Sequence, residues 1–137
     1  MQIKRSKEVM VMVDEIRYIE LKTGYSDDGP AWIGRVKFSK SGNTIYFNTK
    51  AFRKYISAHG NYRDIDTHDE YWISGVKKDG ADRHWAGHGK IMMCKNAVND
   101  YLKIVQQKTI DTKRFEVIDI SDDYPIERVN ERENRKK

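Results

Sequence analysis

The stretch Ala31-Trp32-Ile33-Gly34-Arg35-Val36-Lys37-Phe38, followed by Ser39-Lys40-Ser41-Gly42-Asn43 and Thr44-Ile45-Tyr46-Phe47-Asn48, sets the architecture. Trp32, Gly34, Val36 and Phe38 alternate with Ile33, Arg35 and Lys37, the period of a half-buried strand. The Gly-containing turn at 39–43 then lets the chain return as a second short strand. A β-hairpin is the expectation, and the rest of the chain is organised around it.

Downstream, Asn48 or Thr49 is placed to cap a short helix whose apolar side carries Ala51, Phe52, Tyr55 and Ile56, ended by His59-Gly60. Asn61 to Asp66 and Tyr71 to Val76 read as strands about a turn at 67–70. Lys77-Lys78-Asp79-Gly80 carries the Asp-Gly signal of a further hairpin. Arg83 to Met93 reads as a strand bent at Gly87 and Gly89. Cys94, Val98, Tyr101, Leu102 and Val105 recur at helical spacing, which predicts a helix over 95–106, and Phe115 to Ile120 reads as a last strand. Upstream, Val13 to Thr23 reads as a strand and 25–30 as a loop. The expected fold is mainly β with one substantial helix (α+β): a small, strongly curved antiparallel sheet or Src-homology-three-like barrel, with an OB-fold also compatible.

A chain of 137 residues fits one domain, expected over 13–120, between an N-terminal arm at 1–12 and a charged, flexible tail at 121–137. Cys94 is the only cysteine, so no intrachain disulfide forms, and a reducing cytoplasm is the expected location. The apolar run Val9 to Val13 is too short for a signal peptide or a membrane span, so no membrane partner is expected.

Gly29-Pro30-Ala31-Trp32-Ile33-Gly34-Arg35-Val36, Glu70-Tyr71-Trp72-Ile73-Ser74-Gly75-Val76-Lys77-Lys78-Asp79-Gly80 and Asp82-Arg83-His84-Trp85-Ala86-Gly87 together resemble a group of short bacterial proteins. That group often carries the label 1-deoxy-D-xylulose-5-phosphate synthase. The resemblance covers roughly Ile16 to Met93 and implies no activity, cofactor or catalytic residue. The labelled enzyme is a thiamine-diphosphate protein several times this length, and this chain lacks the Gly-Asp-Gly…Asn type of motif that cofactor needs.

Other constellations point away from catalysis. His84 and His88 have a metal-ligand spacing for a helix, but on an extended strand they stand roughly 13 Å apart. Cys94 lies just before the predicted helix, where a thiolate is stabilised, yet it also belongs to the helix's apolar stripe. Asp64, Asp66, Asp69 and Glu70 crowd one turn without a calcium-loop pattern. A non-enzymatic module with no metal and no cofactor is the expectation.

Charge supplies the positive signal. The net charge is +5, and between Asp28 and Asp64 there is no acidic residue. That window holds Arg35, Lys37, Lys40, Lys50, Arg53, Lys54 and Arg63, interleaved with tyrosines. Basic side chains on one face beside accessible aromatics can neutralise phosphates and stack on bases, so nucleic acid is the expected partner. The alternative is a protein–protein interaction module using an aromatic surface of Tyr71, Trp72 and Trp85.

Overall fold

The hairpin read from the sequence forms, and it nucleates a closed ring of strands. A computed structural model describes residues 13–22, 29–82 and 89–120. The strands are β1 (Val13–Leu21), β2 (Ala31–Phe38), β3 (Thr44–Phe47), β4 (Lys50–Lys54), β5 (Tyr62–Asp64), β6 (Glu70–Ser74), β7 (Ile91–Cys94) and β8 (Phe115–Ile118). A single 3-10 turn (Lys95–Ala97) leads into the helix α1 (Val98–Val105), between β7 and β8. The N-terminal arm, the tail, His84, Trp85 and His88 lie outside the described residues.

Strands β1 to β6 pair in sequence order, each antiparallel to the next, and β6 pairs back to β1. The result is a six-strand up-and-down barrel, a closed form of small β architecture that leaves the ring without a free edge. At eight residues, β2 is long enough to serve three neighbours. One edge runs along β1. The other is divided between β3, at Lys37 and Phe38, and β7, at Trp32 and Ile33. β7 lies parallel to β2 and β8 parallel to β7, the last two joined through α1 as a parallel crossover requires.

Directly paired residues share a sheet face, so the register sorts the side chains. Ile19, Val36, Ile45, Phe47, Phe52, Tyr62, Tyr71 and Ile73 turn into the barrel and are buried. Phe52 and Tyr71 meet with ring centroids 4.6 Å apart. Gly34 shares this face, and its missing side chain is what admits them: a Cβ there would collide with the Phe47 ring and come within 2.8 Å of Cys94 Sγ. The opposite face of β1, β2, β7 and β8 builds a second apolar layer from Tyr18, Ile33, Ile91, Met93 and Phe115. Helix α1 closes it, with Tyr101 edge-on to Phe115 at 5.2 Å. Arg35 fastens the helix to β2, its Nη2 reaching Asp100 Oδ2 at 2.5 Å and the Asn96 carbonyl at 3.1 Å.

The structure corrects two local expectations. Residues 49–56 form no helix: Asn48 and Thr49, at φ 52° and 61°, make the two-residue turn between β3 and β4, which fits the paired positive φ of a type I′ hairpin. Residues that cap helices also favour turns, and here the turn wins because Phe52 faces the barrel while Tyr55 and Ile56 are exposed. The 77–80 segment does turn, with Gly80 N–H donating to the Lys77 carbonyl, but among the described residues it joins no strands paired with each other, and 83–88 of the strand expected after it lie outside the described residues. β6 is held by β1 and β5, and β7 by β2 and β8. The predicted 95–106 helix is present with a 3-10 first turn and a left-handed stop at Gln106, φ 58°.

Candidate nucleic-acid interface

Around the barrel from β4 to β6, the outer face has no helix over it. Three of the seven basic residues of the acid-free window share the outer face of β2 to β5. Lys37 stands opposite Tyr46, and Tyr46 opposite Ala51. Two residues further along β4, Arg53 stands directly opposite Arg63 of β5. Like charges in that position repel by roughly 0.2–1 kcal/mol, before the other contacts of either residue are counted.

Arg63 is the most informative of the set. Its guanidinium lies 3.6 Å from the centroid of the Tyr55 ring, a cation–π stack. Its Nε is buried and has no hydrogen-bond acceptor. Across from it on β6 stands Glu70, whose Oε1 instead accepts from Ser57 Oγ at 2.8 Å. Among the described residues no carboxylate lies within ion-pair distance of Arg63.

The other four basic residues go elsewhere. Arg35 is engaged by α1. Lys50 and Lys54 have the opposite strand parity, at the two ends of β4, and Lys50 Nζ lies 3.8 Å from Asp64 Oδ2. Lys40 is exposed in the β2–β3 turn. The acid-free window is therefore not one face; it is a cluster of three with outliers.

Two aromatic side chains join that cluster. Tyr55 continues β4 by one pair, its N–H donating to the Asn61 carbonyl at 3.1 Å, and is 43% exposed. Trp72 of β6 turns outward on the same side of the sheet and is 42% exposed. Asn61 locks β5 to β6 between them, its amide accepting from and donating to the Ile73 backbone at 2.8 Å. The alternative aromatic surface needs Tyr71 and Trp72 exposed together, whereas Tyr71 is 5% exposed inside the barrel. Strand alternation puts the two on opposite faces, so no surface contains both. The protein-interaction alternative thus retains only Trp72 among the described residues.

The remaining chemistry is structural in its contacts. Asp64 Oδ1 accepts from the Asp66 and Thr67 backbone N–H groups at 2.8 and 3.2 Å, so the acidic cluster is a turn organised around one buried carboxylate. Cys94 Sγ packs against Gly34. A cavity of about 380 Å³ lies between the 78–80 turn and the end of α1, and Arg114 donates across it to the Gly80 carbonyl. Beside that contact, burial raises the Asp82 carboxyl above its usual value, while its Oδ1 accepts from the Lys77 N–H at 2.8 Å. Among the described residues no three His, Cys, Asp or Glu side chains gather as a metal site, and no helix is long and apolar enough to cross a membrane. Compared with known protein families, curated proteins and solved structures, the chain matches none.

Proposed function

We propose that this protein is a non-enzymatic nucleic-acid-binding module whose contact surface is the outer face of the barrel at Arg53, Tyr55, Arg63 and Trp72, with Lys37 on the same side beyond the buried cluster of Tyr46, Ala51 and Ile65. The observation that carries this is the pair Arg53–Arg63. Two guanidinium groups are set directly opposite one another, and one of them has a buried N–H without an acceptor. A phosphate relieves both conditions at once, because its oxygens accept from guanidinium in a forked, charge-assisted geometry.

The test is the salt dependence of binding to a mixed-sequence oligonucleotide. Each phosphate contact contributes about 0.7 to 0.9 to the slope of log affinity against log salt. Replacing Lys37, Arg53 and Arg63 by Gln together lowers that slope by about 2 to 3. Replacing Lys77, Lys78 and Lys103, away from this face, leaves it nearly unchanged. Equal losses from both sets, or no binding near physiological salt, overturns the assignment.

A further inference from the structure

We infer that the nucleic acid this face takes is single-stranded, with bases stacked on Trp72 and Tyr55 and the backbone held at Arg53 and Arg63; this rests on the nucleic-acid reading above. The basis is the placement of the aromatic rings. Tyr55 and Trp72 lie on the same outer face, two strands apart, with Arg63 on the strand between them. Neighbouring strands are separated by ~4.8 Å, so the two rings rise from positions roughly 10 Å apart. A short length of one chain reaches both.

An exposed ring face attracts an unpaired base, since every base has a π-face to offer. A duplex keeps those faces inside its own stack and presents only phosphates and groove edges. Phosphate contacts alone would require the arginines and not the rings. Nor does this side of the molecule present a helix to a groove: α1 is packed on the far side, over β1, β2, β7 and β8. Tyr55 is already stacked on one side by Arg63, which fixes the ring and leaves its exposed portion ready for a second planar partner. Exposed aromatic surface is unfavourable in water and is released when a base covers it.

The experiment compares an oligothymidine single strand with a hairpin duplex of equal phosphate number, by fluorescence anisotropy at fixed salt. The expected result is tighter binding of the single strand. Trp72→Ala weakens single-strand binding about 5- to 150-fold, leaves the salt slope unchanged and barely alters duplex binding. Trp72→Phe restores most of the loss, because it keeps a ring. Thermal melting of both variants checks that they fold as the parent does. Equal affinity for the two probes, or equal weakening of both by Trp72→Ala, overturns the single-strand assignment while leaving nucleic-acid binding intact. Absence of binding to either probe overturns both. Capture of an exposed peptide through Trp72, with no response to either oligonucleotide, would give the face to a protein partner instead.

Discussion

The outer surface of this barrel is treated in two ways by one sheet. Over β1, β2, β7 and β8 the outward residues Tyr18, Ile33, Met93 and Phe115 are buried, and α1 seals them. Over β4, β5 and β6 the outward residues include Arg53, Arg63, Glu70, Tyr55 and Trp72, and no helix among the described residues lies across them as α1 does. The first region hides apolar atoms and pairs its cation, Arg35, with Asp100. The second exposes its rings and carries guanidinium groups on the facing residues Arg53 and Arg63, with Glu70 across from Arg63. The backbone geometry of the two regions is similar, so the contrast comes from the side chains. Burial accounts for the first set, and the second is the kind of exposed aromatic surface that interaction sites use.

The largest expected effect tests whether the covered side is core and the open side is not. Phe115→Ala should cost about 3–5 kcal/mol in denaturant unfolding, the range for deleting a buried ring. Trp72→Ala should change stability by less than about 1 kcal/mol, since much of its ring already meets water. Comparable losses from both would show that Trp72 belongs to the core and would erase the distinction between the two regions.

A pH experiment separates barrel interior from open face. Burial first, then the nearby Asp64 and Asp69, push the Tyr71 hydroxyl up to about 12 from an ordinary 10.0. Between those values the native chain keeps a proton that the unfolded chain has released, so stability falls as pH rises from the lower value to the higher. Tyr71→Phe should flatten that decline, seen in urea midpoints across the alkaline range. Trp72→Phe, on the open face and without an ionisable group, should not change it.

The smallest effect on stability is expected at Arg53. Arg53→Gln removes the like-charge opposition to Arg63 together with the contacts Arg53 itself makes, so stability should change by less than about 1 kcal/mol while oligonucleotide binding weakens. Unchanged binding would remove Arg53 from the contact surface.

Much of the fold could be read locally. Strict alternation from Trp32 to Phe38 with a Gly turn is a short-range signal, and so is the helical spacing from Cys94 to Val105. The β3–β4 turn is not legible locally, because Asn48 and Thr49 serve caps and turns equally well, and only the barrel's demand for Phe52 decides between them. The candidate site was legible only in part. The shortage of acid marked a stretch of chain that the sheet then divides: Arg53 and Arg63 come to face one another, while Arg35 is drawn off by a carboxylate 65 residues away. The meetings of Arg53 with Arg63, and of Tyr55 with Trp72, depend on cross-strand register that no spacing within the chain encodes.

The central claim is that the open outer face, not the helix-covered one, meets nucleic acid. A titration of isotopically labelled protein with a short single-stranded oligonucleotide, followed by backbone amide shifts, tests it residue by residue. The account predicts that the moving signals cluster at 53–55, 61–63 and 70–73, with the Trp72 indole N–H among the largest, while α1 and β8 stay still. Shifts centred on 95–105 and 115–118, or none at saturating oligonucleotide, would contradict it.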